Sequence, residues 1–488
     1  MKMRSILGAL VIASLSAMPA LAVEMTPEEI KKLVDDAVNK KMQEHERHEG
    51  QAERAMEKKE GQPGAVQYPV AAGPITDIRV ERKGEENIPL GFSSTGSGKL
   101  IYAKPFLSAP KATIGGYAEA QFNALTAPNL DNSKRNSFNS VRMIPFIYAD
   151  ITEHVKFATE IEFERGGPNN NQGDGEVKLE FAQLDYLITE AFNLRAGMIL
   201  VPVGKFNLLH DTPLNDLVDR PMVARLLIPS TWSETGAGIY GTFYPSSQSK
   251  LDYEFYVING LQGGAKSPMN SGVVDNATDS SGLRNVRGSA ARDPNDNKSI
   301  VGRVAFSPML GIEVAGSGYY GLWNNIGAGG VNNASDYIGI YALDWTLQRG
   351  PFEVIGEAAW SRITRTPGSA VATGPAGMMG YYIQGNYHFM PDFLKRWAPS
   401  HFTDASTFTA TVRWERVDTD TDNRTLTATS GNARELERLT LGLNFRPIED
   451  TVFKFNWQFN TQKDAVPANL VNGGINGNGF LFSAATYF

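Results

Sequence analysis

The sequence predicts an all-β transmembrane protein, an antiparallel outer-membrane β-barrel of about sixteen strands. Three observations indicate it: stretches that alternate apolar with polar residues, connections that alternate between short and long, and an aromatic C-terminus. The alternation is strictest in 451–461, whose apolar face carries Phe453, Phe455, Trp457 and Phe459. Each stretch holds about ten residues, the length that a tilted strand needs to cross the hydrocarbon layer.

The register of the last strands follows from the cost of placing charge in lipid. A soluble β-sandwich also alternates, but it turns its polar face outward. A transmembrane barrel turns its apolar face outward, and an Arg or Lys on that face costs about 2–4 kcal/mol near the bilayer midplane. We therefore predict that the bases of these strands line the lumen, together with one on the second strand: Arg413, Arg438, Arg446, Lys454 and Arg142.

Composition limits the classes of function. The chain has 488 residues, 48 of them glycine, no cysteine and a formal net charge of -7. The missing cysteines exclude disulfides, thiolate metal sites and the C-x-x-C-H attachment of haem, and we expect no cofactor. The negative charge argues against nucleic acid as a partner. Beyond the N-terminal leader no run of about 18 apolar residues appears, so no transmembrane helix is predicted.

Residues 1–22 have the features of a secretory signal peptide. Lys2 and Arg4 precede an apolar core, and Ala20-Leu21-Ala22 forms a small-residue cleavage site. We therefore expect the mature chain in the outer membrane of a Gram-negative-type bacterium, with its N-terminus in the periplasm.

Residues 23–61 predict a periplasmic helix or a short coiled coil. Thr26 caps the helix and Pro27 takes its first position, and an apolar stripe begins at Ile30 and Leu33. This stripe could trimerise the protein, or the helix could be solvated or face peptidoglycan. The pattern leaves both open, because it sustains apolar positions over only about two heptads.

The barrel domain is predicted to span residues 111–488, after a linker or pre-barrel segment at 62–110 that is rich in Gly, Pro and Ser. Connections after even-numbered strands are mostly short, as at 151–154, and those after odd-numbered strands are mostly long and polar, as at 260–298. This is the arrangement of bacterial outer-membrane barrels, and an even strand number leaves both termini on the short-turn side. One connection on that side, 391–405, is long.

The last strand ends in an aromatic residue, with two more in phase before it: Phe488, Phe482 and Phe480. Outer-membrane barrels present such an ending to their insertion machinery. We therefore predict that these residues are an assembly signal and that this machinery is a partner.

The third long loop, residues 202–232, is more hydrophobic than the others. Leucines such as Leu208, Leu217 and Leu227 need an apolar surface to pack on. We predict that the loop folds into the barrel and constricts it. The alternative is a lid or a subunit contact on the rim. The predicted charged residues of the constriction are Lys205, His210, Asp211, Asp216, Asp219, Arg220 and Arg225.

The inferred lumen wall separates its charges. Bases concentrate on the last strands and the second, whereas acids such as Glu160 and Glu162 lie elsewhere. A basic wall opposite an acidic loop would set up a transverse field that orients dipolar solutes and filters ions. The alternative is that these charges solvate a water-filled lumen and pair with each other.

No catalytic residue and no metal site is predicted. His45 and His48 are spaced to share a metal, but two ligands make a weak site. Glu160, Glu162 and Glu164 could bind calcium, although such a strip is more often lumen wall. An outer-membrane phospholipase would need a Ser–His pair, and none is evident, so we expect no enzyme.

Several segments resemble the phosphate-selective porin O/P family. They are Lys111–Tyr117 at the start of the barrel, Leu194–Phe206, Asp219–Pro221, Pro229–Trp232 and the aromatic C-terminus. The resemblance implies a sixteen-stranded trimeric diffusion channel, and some relatives carry an N-terminal periplasmic coiled coil. Phosphate-selective members line the pore with ladders of Arg and Lys. The third loop here offers only three bases, offset by acids.

The predicted function is passive diffusion of small hydrophilic solutes or ions through an outer-membrane porin. Its expected surroundings are outer-membrane lipid and lipopolysaccharide, and it is expected to form a homotrimer. The alternative is a barrel that sheathes a partner, such as a multihaem cytochrome in an extracellular electron conduit. The third loop distinguishes the two, because a threaded barrel must leave its lumen empty.

Overall fold

A computed structural model of the chain describes residues 112–125, 136–165, 175–261, 282–287, 297–323, 336–365, 375–422, 435–463 and 477–488. The predicted signal peptide, the periplasmic helix or coiled coil and the linker lie outside the described residues.

The described residues form one closed sheet. Each strand is antiparallel to both neighbours, and the last pairs with the first. The strands are β1 Ala112–Leu125, β2 Asn136–Asp150, β3 Val155–Glu164, β4 Glu176–Leu187, β5 Asn193–Leu200, β6 Ser233–Phe243, β7 Lys250–Ile258, β8 Ser299–Met309, β9 Ile312–Leu322, β10 Tyr337–Arg349, β11 Phe352–Ile363, β12 Gly377–Phe389, β13 Thr407–Asp418, β14 Glu435–Ile448, β15 Thr451–Gln462 and β16 Gly479–Tyr487. The predicted sixteen-stranded antiparallel barrel is confirmed.

Helical segments of the described residues are short. They are α1 Lys205–Leu208, α2 Met222–Leu226 and α3 Asp392–Trp397, with 3-10 turns at Thr212–Leu214 and Gly282–Val286. None of these helices is long and apolar enough to cross a bilayer. The first two lie in the third loop, and α3 occupies the long connection at the short-turn end of the barrel.

The strands turn their apolar faces outward, as the register argument predicts. Leu441 on β14 and Trp457 on β15 are paired across the ladder and are 45% and 48% exposed. The adjacent pair, Thr440 and Gln458, is buried. An outer apolar band and an inner polar face are what a lipid-embedded barrel requires.

Closure of the barrel uses the last residue of the chain. The N–H of Gly116 donates to the carbonyl oxygen of Phe488 at 3.0 Å, and the N–H of Phe488 donates back to Gly116 at 2.9 Å. A Cβ at Gly116 would lie 2.5 Å from the carbonyl oxygen of Ile144 and 2.7 Å from the Phe488 ring. Glycine is therefore required for this close approach. The role of the C-terminal aromatic residues as an assembly signal stays a prediction.

We expect Leu441→Arg to lower the free energy of unfolding by about 2–4 kcal/mol, because the side chain lies midway along β14 on the lipid-facing surface. Ser247→Arg, in the exposed turn between β6 and β7, is the matched control and should leave it nearly unchanged. Urea unfolding in lipid vesicles measures both. Equal effects of the two substitutions would contradict the assigned lipid face.

Candidate functional site in the third loop

The connection between β5 and β6 packs on the inner surface of the barrel. Val203, Val223 and Ile228 are fully buried. They belong to one apolar cluster with inward-facing wall residues that include Tyr256, Ile340 and Tyr382. The apolar surface that the sequence required for this loop is therefore the wall of the lumen. Leu214 is an exception and stays 50% exposed.

The two ends of the loop are tied together by one side chain. The amide nitrogen of Asn207 donates to the carbonyl oxygens of Val201 and Trp232, at 2.8 and 2.9 Å. Its amide oxygen accepts from the N–H of Trp232 at 2.8 Å. Asn207 is completely buried. The N–H of Val201 still donates to the carbonyl oxygen of Trp232 at 3.0 Å, and Asn207 takes the place of the reciprocal backbone hydrogen bond.

The loop enters the lumen through a glycine that has no space for a side chain. Gly204 has φ 68°, and a Cβ there would lie 2.5 Å from Oε2 of Glu357 on β11. The N–H of Phe206 donates to the same Glu357 oxygen at 3.1 Å, and the N–H of Gly204 donates to Ser317 on β9 at 3.0 Å. Because the loop has few backbone partners of its own here, wall side chains accept its N–H groups.

Farther along, the loop reaches the last strands of the barrel. The N–H of Val218 donates to Asn456 on β15 at 2.6 Å, and the N–H of Met222 donates to Glu415 on β13 at 2.5 Å. Lys454, a predicted wall base, donates to the carbonyl oxygen of Thr212 at 2.6 Å. A segment that starts at β5 therefore crosses the interior to β13 and β15.

The loop carboxylate of Asp219 lies among the predicted wall bases. Its Oδ2 lies 3.3 Å from Arg438 and accepts from Gln458 at 2.8 Å. Arg413 donates to the backbone carbonyl of Asp219 at 2.8 Å. Arg413 also pairs with Glu415 at 3.2 Å on its own strand.

Asp216 makes similar contacts nearer the short-turn end. It accepts from Asn386 on β12 at 2.9 Å and from Asn444 on β14 at 3.2 Å. Arg446 lies 3.6 Å from its carboxylate. The acidic residues of the loop therefore bind the basic wall directly.

Direct contact replaces the field that the sequence suggested between these two groups. A transverse field requires opposite charges that are separated by water. Asp219 and Arg438, however, lie 3.3 Å apart and form an ion pair. The pairing alternative describes these residues. The physical reason is that the loop contacts β13 and β15 as well as β1, so Asp216 and Asp219 reach the basic wall.

The wall of the first strands holds the other end of the loop. Arg142 donates to Glu119 at 2.6 Å and to Thr212 at 3.2 Å, and it lies 3.7 Å from Glu162. The hydroxyl of Tyr487 donates to Asp211 at 3.0 Å. Arg142 and Asp211, two predicted residues, are therefore anchors of the loop on this side.

Two more predicted loop residues contact the wall. His210 lies 2.8 Å from Oε2 of Glu180 on β4, and both are buried. Lys205 donates to Thr346 on β10 at 2.5 Å and lies 3.8 Å from Glu313 on β9.

Four arginines gather on the long-loop side of the third loop. We call this group the arginine patch: Arg220, Arg225, Arg284 and Arg287. The turn at 282–287 contacts α2, and Arg284 and Arg287 donate to the carbonyl oxygens of Ser230 and Thr231, at 3.2 and 2.6 Å. Arg220 donates to the Thr231 hydroxyl at 3.1 Å. Burial, and then the neighbouring guanidinium groups, lowers the pKa of Arg284 to about 10. Within the described residues, no carboxylate is ion-paired with a member of the patch.

The sequence reasoning missed several residues of this site. Asn207, Glu357, Asn456 and Glu415 all accept or donate hydrogen bonds that hold the loop backbone. Asn207 could have been found, because it is a polar residue within the apolar run of the loop. The alternation places the other three on the lumen-facing side of their strands, but only the path of the loop selects them as its partners.

Comparison with known families identifies this architecture. The model of the family described as phosphate-selective porin O and P matches residues 113–473, most of the barrel. The chain belongs to this family. It is therefore an outer-membrane porin-type channel protein, as the resemblance of its motifs indicated.

Sequence identity between this chain and individual porins or relatives is 30% or lower. An uncharacterized protein of Aquifex aeolicus is 30% identical over 294 residues, which are 58% of this chain and 62% of that protein. The anion-selective porin from Comamonas acidovorans is 12% identical with a TM-score of 0.44, covering 77% of this chain and 99% of that one. The outer membrane channel DcaP of Acinetobacter baumannii is 8% identical with a TM-score of 0.42, covering 77% and 97%.

We expect Asp219→Ala to lower the free energy of unfolding by about 1–3 kcal/mol, because the substitution removes a carboxylate paired with the largely buried Arg438 and the acceptor of the buried Gln458 amide. Asp404→Ala removes an exposed carboxylate paired with Lys395 and is the matched control, with no measurable effect expected. Chemical unfolding of the purified porins compares them. If Asp219→Ala is as stable as the control variant, Asp219 is not an anchor.

Proposed function

We propose that this porin is a passive diffusion channel for small hydrophilic solutes or ions, and that its third loop constricts the lumen. The observation that carries the proposal is the path of the loop, which contacts inward-facing residues from β1 and β4 to β15. A segment that crosses the interior must reduce the free cross-section that solutes use.

The loop is held firmly enough to act as a fixed filter. Its backbone is bound by wall side chains at Glu357, Glu415 and Asn456, and its acids are bound by Arg438 and others. Several charge-assisted hydrogen bonds on opposite walls restrict the loop at more than one point. We therefore infer a channel that is constricted in its resting state and not closed by a mobile lid.

The same contacts weigh against the sheath hypothesis. A cytochrome threaded through the barrel would have to displace the loop and break its buried hydrogen bonds. The apolar cluster around Val223 and Ile228 would then lose its packing. Each buried polar group left unpaired adds to that cost.

Selectivity is proposed to arise at the arginine patch. Carboxylates at the long-loop ends of β3 and β4, Glu162, Glu164 and Glu176, are among the acids that act on Arg284 and Arg287. Guanidinium groups without an ion pair to a described carboxylate, opposite acids of β3 and β4, would produce the transverse field at the long-loop side of the constriction. Passing solutes would there meet positive charge on the loops and negative charge on β3 and β4.

The assembly is proposed to be a homotrimer in the outer membrane, as the family resemblance implies. Lipid and lipopolysaccharide would contact the exposed apolar band, and the insertion machinery would recognise the C-terminal strand. Neither a peptidoglycan contact of the N-terminal helix nor a cytochrome in the lumen is needed for the channel.

Replacing residues 208–226 by a short Gly/Ser linker should increase single-channel conductance and weaken ion selectivity, because the linker no longer crosses the lumen. Planar-bilayer recordings measure the conductance, and reversal potentials in a salt gradient measure the selectivity. Openings in groups of three are expected for a trimer. Replacing the exposed residues 399–401 by Gly and Ser is the control and should leave both quantities unchanged.

Wide and unselective pores in both the native porin and the 208–226 variant would refute constriction and favour the sheath. A native porin without conductance, beside large pores in the variant, would mean a plugged barrel. Openings that never occur in threes would refute the trimer alone.

The double variant Arg225→Gln, Arg287→Gln should lower the permeability of anions relative to cations. One charge at about 10 Å from an ion in water is worth about 0.4 kcal/mol, so each substitution is expected to change the ratio by about twofold. Lys395→Gln, at the short-turn end, is the matched control. An unchanged reversal potential in the double variant would show that the arginine patch does not face the permeant ions.

A further inference from the structure

A buried group of metal-ligating side chains joins the third loop to the wall. Glu160 on β3, Glu180 on β4 and His210 in the loop each place one ligand atom within 4.8 Å of the other two. The three residues are 2%, 1% and 2% exposed. The constriction proposed above also rests on loop contacts with β1, β13 and β15 that involve none of these three residues.

The contacts of His210 define which ring nitrogen carries the proton. Nδ1 lies 3.0 Å from the carbonyl oxygen of Asn207, which can only accept, so Nδ1 must donate. Nε2 lies 2.8 Å from Oε2 of Glu180, which is also an acceptor when ionised. In a neutral ring two lone pairs would therefore face each other, and a second proton or a metal ion has to lie between them. A histidine that donates its other N–H to a backbone carbonyl is the usual arrangement of a metal ligand.

Two further polar atoms at this place are buried without a hydrogen bond to any described residue. They are Oε1 of Glu180 and the hydroxyl of Tyr117. The ring of Tyr117 lies 6.0 Å from the ring of Tyr487, whose hydroxyl donates to Asp211, the residue after His210 in the loop. Buried carboxylates require compensation by a bound cation or by hydrogen bonds.

The bases that act on Glu180 besides His210 are engaged elsewhere. Lys178 lies 2.5 Å from Glu162, and Arg220 donates to the hydroxyl of Thr231. A divalent cation between the two glutamates and the histidine would place positive charge directly against both carboxylates.

We propose that Glu160, Glu180 and His210 bind one divalent transition-metal cation, which links the third loop to β3 and β4. One imidazole nitrogen and two carboxylate oxygens suit Zn²⁺ and neighbouring first-row ions. Bonds of about 2.0–2.2 Å place two tetrahedral ligand atoms about 3.4 Å apart, so His210 and Glu180 have to separate by about 0.6 Å on binding. A water or the Tyr117 hydroxyl would complete four ligands.

The test uses the untagged full-length porin in detergent, stripped with a chelator and dialysed against Zn²⁺. Elemental analysis should find one zinc per chain in the native porin, and zinc should raise its Tm. His210→Gln and Glu180→Gln should each weaken zinc binding by about 100-fold or more, because a ligand is lost. In these variants added zinc should leave Tm unchanged.

Two control variants separate this site from other histidines. His388→Gln changes a histidine that lies 3.8 Å from Glu353 on the wall, and His45→Gln with His48→Gln changes the pair in the N-terminal segment. Both should keep one zinc per chain.

Several results would overturn the proposal. They are a native porin without stoichiometric zinc, equal zinc content in His210→Gln, or loss of zinc in the His45/His48 variant alone. The first would mean that a protonated His210 pairs with Glu180 by itself. Conductance is recorded separately, so that failure of the channel proposal and failure of the metal proposal remain distinguishable.

Discussion

The closed ladder of backbone hydrogen bonds is the constraint on which the rest of this porin depends. A bilayer core offers no hydrogen-bond partners, so every backbone group of a spanning strand has to be paired by a neighbouring strand. An open sheet would leave a row of N–H and C=O groups unpaired at each edge. Pairing of Gly116 with Phe488 completes the ring. Closure then commits one face of every strand to lipid and the other to an enclosed interior.

That interior determines how the third loop folds. A loop segment inside a barrel cannot leave its own N–H and C=O groups without partners, and it lacks a neighbouring strand to supply them. The polar inner face of the wall does so, through Glu357, Glu415 and Asn456. The apolar residues of the loop, in turn, cover inward-facing aromatic residues such as Tyr256 and Tyr382. Hydrogen bonding of the loop backbone and burial of its apolar side chains therefore favour the same position of the third loop.

Charge in this barrel serves two separate purposes. Where the loop touches the wall, as at Asp219 and Arg438, opposite charges neutralise each other and hold the backbone in place. Where loops meet on the long-loop side, the arginine patch keeps positive charge without an ion pair among the described residues. At His210 and Glu180 a buried imidazole meets a buried carboxylate at 2.8 Å, and a second oxygen of Glu180 has no hydrogen bond to a described residue.

The sequence by itself determined the barrel, its strand number, its lipid-facing register and the unusual character of the third loop. These follow from local patterns: alternation with period two, the cost of an Arg such as Arg438 in lipid, and leucines such as Leu227 in a loop. Only the tertiary structure decided which charges meet. Arg438 and Asp219 are 219 residues apart, and His210 and Glu180 lie on different elements. Such contacts depend on the path of a loop across a closed ring, and a path through space leaves no periodic signal along the chain.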